Sequence, residues 1–170
     1  VGAGTVIADD PALTVRHVRG PDPRALVVSG RLSCPPEAQL FSRAGTVLAT
    51  SARDAQQIAR FSASGTDVWS FEALDGQIDL TELVQKAGEE MITSLLIEGG
   101  RSLASAALRA GIVDEVMIYV APRLMGEGVA SIGDLGVNVV DESVQLVDIS
   151  TRRLGDDILY TGKVASCSPV

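Results

Sequence analysis

Aromatic residues are only 4 % of this 170-residue chain, and it has one histidine and two cysteines. Each scarcity removes a class of chemistry. His17 stands alone, and Cys34 and Cys167 lie far apart, so no metal-ligand spacing exists and a zinc site is not expected. A lone histidine beside Arg16 reads as a solvated loop residue and gives no support to a Ser-His-Asp relay. No apolar run reaches the roughly 18 residues that a membrane span needs. The first residues carry no basic, hydrophobic, cleavable pattern. The expectation is a cytoplasmic protein with reduced thiols. Cations are also few: 14 Lys and Arg stand against 22 Asp and Glu, for a net charge of −8. That balance argues against nonspecific nucleic-acid binding. A small anionic ligand remains compatible, because a few local arginines and helix N-termini reverse the field where they cluster.

What is present is ordinary for a globular protein: 46 % hydrophobic and 21 % charged residues, with an aliphatic core. A chain of this length buries roughly 70 % of its unfolded surface as one domain. The expected organisation is a single domain over residues 1–165 with a short tail at 166–170. Val1-Gly2-Ala3-Gly4-Thr5 reads as the end of a strand entering a glycine loop, as if the sequence began inside a domain.

Asp10 before Pro11 favours an extended or turn conformation. Ala25–Val28 and Thr46–Thr50 are short apolar strands. Ser51 is a candidate cap for a helix from Ala52 to about Phe61. Val68–Phe71 is a further strand. Asp79 and Glu82 form a pair of capping-box type, and Leu80, Leu83, Val84, Ala87 and Met91 follow it at helical spacing. Leu95-Leu96-Ile97 reads as a buried strand. The next helix turns Leu103, Ala106, Ala107 and Ala110 inward and ends at Gly111. Val116–Ala121 is a strand, Gly126–Gly136 a long loop, and Val144–Ile149 with Ile158–Val164 an antiparallel hairpin. Strands alternating with helices imply a mostly parallel central sheet, helices on its faces, and the hairpin at one side.

The chemistry concentrates at Ile97-Glu98-Gly99-Gly100-Arg101-Ser102-Leu103. Two glycines at a strand-to-helix junction admit a ligand to bare backbone. The first amides of the following helix have no internal partners and point at whatever sits there, which suits a phosphate or pyrophosphate. Glu98 places a carboxylate beside the same turn.

Several segments resemble one family in order and spacing. They are Ala8-Asp9-Asp10-Pro11-Ala12-Leu13-Thr14-Val15-Arg16, Leu96-Ile97-Glu98-Gly99-Gly100, Val113-Asp114-Glu115, Ala121-Pro122-Arg123-Leu124-Met125-Gly126 and Leu154-Gly155-Asp156-Asp157. The family is the reductase domain of the riboflavin-biosynthesis deaminase/reductase, with its stand-alone relatives. The resemblance spans nearly the whole chain and implies a dihydrofolate reductase-like, three-layer α/β fold. Family members carry a strand and helix with a Ser-Leu-Asp-Gly type motif ahead of the point matching Val1. Those residues help form the pocket for substrate and nicotinamide.

The resemblance implies NADPH as cofactor, with its pyrophosphate at Gly99, Gly100, Arg101, Ser102, Leu103 and Ala104. It implies cofactor contacts at Thr5 and Asp9, and at Ser29 near the adenosine end. Leu13 and Arg16 match substrate-contacting positions, and a guanidinium at Arg16 clamps a ribose phosphate with two parallel bonds. Glu98 matches a position facing the substrate's aminopyrimidine. Asp9 and Glu98 are the candidate catalytic groups, and water is the third candidate proton source. Each residue also has a plain structural reading: a turn cap for Asp9, a solvated cation for Arg16, a backbone-paired carboxylate for Glu98. Asp114 and Glu115 read as junction residues, and Trp69 as core packing or a surface anchor.

The implied reaction is reduction of 5-amino-6-(5-phosphoribosylamino)uracil to its ribitylamino product, in a homodimer with no nucleic-acid or membrane partner. Two other readings stay open. One is a relative that reduces another pyrimidine or pteridine, since fold does not fix function. The other is a nucleotide-binding or dimeric module that has lost turnover.

Overall fold

A computed structural model describes residues 1–74 and 77–165. Cys167 and the tail at 166–170 lie outside the described residues. The described chain forms two compact units, Val1–Leu103 and a second from Ala104 onward.

The first unit is built on a parallel sheet. β1 (Leu26–Val28), β2 (Val47–Thr50) and β3 (Asp67–Ser70) lie in the order β1-β2-β3, with Val27 opposite Leu48 and Leu48 opposite Val68. All four residues of β2 are buried, as expected of a central strand covered on both faces. Gly2 bridges Val28 in parallel, so the start of the chain lies along the free edge of β1. α1 (Ala3–Asp9) follows immediately. Its glycine-rich opening masks a helix that one buried residue, Val6, anchors to the core. Asp10 ends it in the left-handed region at φ 38° rather than in an extended form. Asp tolerates that conformation because its short side chain hydrogen-bonds locally; here the side chain accepts the Gln39 amide at 2.9 Å.

The core gathers Val6, Val27, Leu40, Phe41, Leu48 and Phe61, with the Phe41 and Phe61 rings edge to face at 4.9 Å. α2 (Ala55–Ser62) begins three residues later than the expected Ala52. Its cap is Asp54, not Ser51. The Asp54 carboxylate accepts from the amides of Gln56 and Gln57, whereas the Ser51 hydroxyl donates to the Gly30 carbonyl. A short antiparallel pair, β4 (Ala73–Leu74) with β5 (Gln77–Ile78), leads to α3 (Leu80–Glu89). α3 is capped by Asp79 as expected and buries Leu80, Leu83 and Ala87. Met91 is not on that face. It lies past the helix end at φ 60° and is 84 % exposed. Trp69 packs in the core, with Arg24 and Lys86 over its ring, which is the first of its two readings.

Leu95-Leu96-Ile97 is the main departure from the expected elements. The segment is not assigned as strand, and Leu95 and Leu96 are 42 % and 66 % exposed. An apolar run favours extended backbone, but a strand exists only where a neighbouring strand completes its hydrogen bonds.

α4 (Arg101–Arg109) carries the chain from the first unit into the second. It buries Ser105 and Ala107, while Leu103 and Ala106 are half-buried and Ala110 is exposed beyond its end. Gly111 takes φ 65° as the expected C-terminal cap, with the Ile112 amide returning to the Ala107 carbonyl. In the second unit, β6 (Glu115–Val120), β7 (Leu146–Leu154) and β8 (Asp157–Val164) form an antiparallel sheet in the order β6-β8-β7. The expected hairpin is therefore three-stranded, and its β7 runs past Ile149 to Leu154. A register shift between Val147 and Ser150 places Asp148 at φ 50°, where its carboxylate meets the Lys163 ammonium at 2.8 Å. The long loop is irregular as expected and is tied to α4, since the Gly133 amide donates to the Ser105 hydroxyl and Arg109 donates to the Asp134 carbonyl.

Candidate functional site

Two stretches far apart in sequence meet in the first unit. Gly99 and Gly100 take φ 66° and 84° and turn the chain into α4. L side chains rarely adopt that region. A Cβ on Gly100 would stand 3.2 Å from the Thr5 hydroxyl oxygen, and one on Gly2 would stand 3.7 Å from the Leu103 Cβ. The opening of α1 therefore lies directly against the glycine turn and the first turn of α4. Arg101 and Ser102 are exposed at that helix start, and Leu103 and Ala104 are half-buried. The first turn of a helix presents its amides toward whatever lies at its N-terminus.

Glu98 precedes the turn and is exposed. It lies within electrostatic reach of the Val1 nitrogen, which donates to the Leu26 carbonyl at 2.9 Å. A carboxylate thus stands within electrostatic reach of the sheet edge beside Gly2. Thr5, Glu98, Gly99, Gly100 and Leu103 belong to one locality.

Asp9 sits exposed at the end of α1, and the chain then enters an irregular loop. Leu13 is half-buried in it at φ 49°, and Arg16 is exposed. Three side chains hold this loop. Asp22 accepts the Val15 amide at 2.8 Å. Gln39 spans Asp10, its backbone amide donating to the carboxylate and its side-chain amide to the carbonyl. Arg43 donates to the carbonyls of Ala12 at 2.7 Å, Leu13 at 2.9 Å and Pro23 at 3.1 Å. Sequence reading missed all three, because these contacts span up to 31 positions and nothing local marks them. His17 is exposed, as a solvated loop histidine should be.

Ser29 is placed differently. It is 2 % exposed, and its hydroxyl accepts the Ser33 amide at 3.1 Å. Burial pushes the pKa of the nearby Cys34 thiol up, and the Ser29 hydroxyl acts in the opposite direction. A small cleft lined by Leu32, Cys34, Pro36, Gln57, Arg60 and Phe61 lies beside that turn. None of the glycine-turn residues lines it. Among the described residues no cluster of His, Cys, Asp and Glu is arranged to hold a metal ion, and no helix is long and apolar enough to cross a membrane.

Comparison with known proteins identifies the family. A family model, the RibD C-terminal domain, matches residues 1–160. Riboflavin biosynthesis protein RibD of Actinobacillus pleuropneumoniae is 41 % identical over 171 aligned residues, covering 98 % of this chain and 46 % of that protein. The RibD protein of Aquifex aeolicus is 31 % identical, over 94 % of this chain and 44 % of its own length. The chain thus spans somewhat under half the length of these curated relatives. Among solved structures, Acinetobacter baumannii RibD superposes with a TM-score of 0.77 at 25 % identity, covering 96 % of this chain and 46 % of that one. The yeast riboflavin biosynthesis reductase Rib7 superposes at 0.72 with 21 % identity, over 97 % and 74 % of the two chains, which is a likeness of fold alone. The fold is the α/β, dihydrofolate reductase-like fold of these reductase domains. With a family match over nearly its full length and relatives above 30 % identity, the chain belongs to the RibD C-terminal domain family.

Proposed function

We propose that this protein is an NADPH-dependent reductase of riboflavin biosynthesis, converting 5-amino-6-(5-phosphoribosylamino)uracil to the ribitylamino product. The observation that carries the reading is the cradle at Gly99-Gly100. There the Thr5 hydroxyl crowds the position a Gly100 Cβ would take, at the start of a nine-residue helix. Such a cradle suits the pyrophosphate of a dinucleotide, which lies against backbone and beside a helix N-terminus.

Bound NADPH supplies a hydride from its nicotinamide ring, and the rest of the task falls to the protein. Gly99, Gly100 and the amides of Arg101, Ser102, Leu103 and Ala104 would hold the pyrophosphate, and Thr5 and Asp9 would touch the cofactor elsewhere. Ser29 at the adenosine end rests on the family resemblance. Arg16 holds the substrate's phosphate and Leu13 packs against its apolar surface. Glu98 accepts hydrogen bonds from the aminopyrimidine. Reduction at the sugar C1 of the ring-opened imine adds one hydride to carbon and one proton to nitrogen. Asp9, Glu98 and water are the candidate proton sources. Orientation of the two reactants is the larger part of the catalysis.

The match over residues 1–160 supports reading both units as one reductase domain. A homodimer in the cytoplasm is part of the same reading, and exposed Met117, Ile118, Tyr119 and Val120 on β6 support the dimer. Light scattering at micromolar concentration checks it: a dimer mass is expected, and a monomer mass counts against it. For the cofactor, fluorescence titration with NADPH and, in parallel, NADH is the test. Saturable, NADPH-selective binding is expected. Binding of neither nucleotide contradicts the cofactor reading.

A further inference from the structure

We infer that Arg43 is a positioning residue for substrate binding. It holds the loop of Leu13 and Arg16 in its working conformation without touching the substrate. The inference rests on the reading that Leu13 and Arg16 meet the substrate.

Leu13 sits at φ 49°. That region is unfavourable for a leucine, and such a conformation persists only where the surroundings over-determine it. The surroundings here are specific. One nitrogen of the Arg43 guanidinium donates to the carbonyls of Ala12 and Leu13, on both sides of the strained residue. The other donates to the Pro23 carbonyl, where the loop returns to the sheet ahead of β1. One side chain thus fastens the outgoing and returning arms together. Asp22 adds a stitch to the Val15 amide and lies 3.9 Å from the same guanidinium.

Arg43 is itself held rigidly. It follows a 3-10 turn, Gln39–Ser42, whose Leu40 and Phe41 are fully buried in the core. The Leu40 carbonyl accepts the Arg43 amide, and the Arg43 carbonyl accepts the Thr46 amide. The buried Thr46 hydroxyl also donates to the Leu40 carbonyl at 2.7 Å. Gln39, at the other end of the turn, fastens Asp10 where the loop begins. The turn therefore grips the loop at its root, its strained bend and its return. A planar guanidinium reaches three carbonyls from one fixed position; a lysine ammonium is a point donor that cannot reproduce the fork.

The test compares Arg43→Ala, Arg43→Lys, Asp22→Ala and Arg16→Ala in the full chain. It uses steady-state kinetics in both substrates and hydrogen exchange of the loop amides. Arg43→Ala should raise KM for the phosphoribosylaminopyrimidine on the order of ten- to a hundredfold, as for misplacement by about an ångström. KM for NADPH should hold, and the Val15 amide should exchange faster. Arg43→Lys should recover part of the loss, and Asp22→Ala should shift the same KM in the same direction. If Arg43→Ala fails to fold, the lysine and Asp22 variants carry the test alone. If Arg16→Ala raises the pyrimidine KM while the Arg43 and Asp22 variants leave it unchanged, the positioning role is overturned and the substrate reading survives. If Arg16→Ala leaves that KM unchanged while Arg43→Ala still frees the Val15 amide, Arg43 holds a loop that does not serve substrate. The substrate reading then fails, and this inference with it.

Discussion

The hydroxyl oxygen of Thr5 lies 3.2 Å from the point a Cβ on Gly100 would occupy, and Gly100 itself stands at φ 84°. The positive φ thus favours glycine at the mouth of α4, and the Thr5 hydroxyl crowds any side chain placed there. Gly100→Ala should lower affinity for NADPH by about tenfold or more, the equivalent of about 1.4 kcal/mol, within the cost of holding an L residue there. The check is a fluorescence titration beside Gly88→Ala. Gly88 lies in α3 with open space at its Cβ position. That control should leave NADPH affinity alone and raise stability by roughly 0.5–1 kcal/mol, because alanine replaces glycine inside a helix.

The cap of α2 makes a second prediction. Asp54 accepts two amides of the first turn. Asp54→Ala should cost about 1 kcal/mol, read as a lower urea midpoint with unchanged slope. Ser51→Ala should cost less, because the Thr50 hydroxyl and the Ser51 amide also reach the Gly30 carbonyl.

Phe41 carries both the core and the turn that grips the loop of Leu13 and Arg16. It is fully buried and packs edge to face on Phe61. Phe41→Ala should destabilise the protein by about 3–5 kcal/mol, through lost transfer energy and the cavity left behind. Denaturant unfolding checks this, and a cost near that of an exposed substitution would contradict the packing described.

In β7, Asp148 is held below its ordinary pKa by the hydrogen bond and charge of Lys163, and Lys163 is raised in turn by Asp148. A carboxylate depressed on folding contributes stability above its unfolded pKa, near 3.9, and loses it as pH falls through the lower folded value. The pair is exposed, so its contribution is small. An NMR titration should place the Asp148 midpoint below 3.9. Lys163→Ala should move it upward.

How far the sequence revealed the fold depended on whether a feature is local. The parallel strands at 26–28 and 47–50, the Asp79 cap and the Gly111 stop follow from short-range patterning, and the structure has them. α1 escaped notice because two glycines open it and only Val6 is buried. Leu95–Ile97 has the composition of a strand, yet strand status depends on a neighbour that composition does not name. Asp148 sits in a bulge that the alternation of β7 did not announce. In the candidate site, the glycine turn was legible because helix termini have a local chemistry. Thr5 beside Gly100, and Arg43 behind Leu13, are products of tertiary packing across many residues.

The most direct test of the central claim is product analysis under turnover. The protein is incubated with 5-amino-6-(5-phosphoribosylamino)uracil and NADPH, following NADPH absorbance and the mass of the product. The account predicts NADPH oxidation that depends on the pyrimidine and yields the ribitylamino compound, two hydrogens heavier, in equal amount. Selective NADPH binding without oxidation in the presence of that pyrimidine would contradict it.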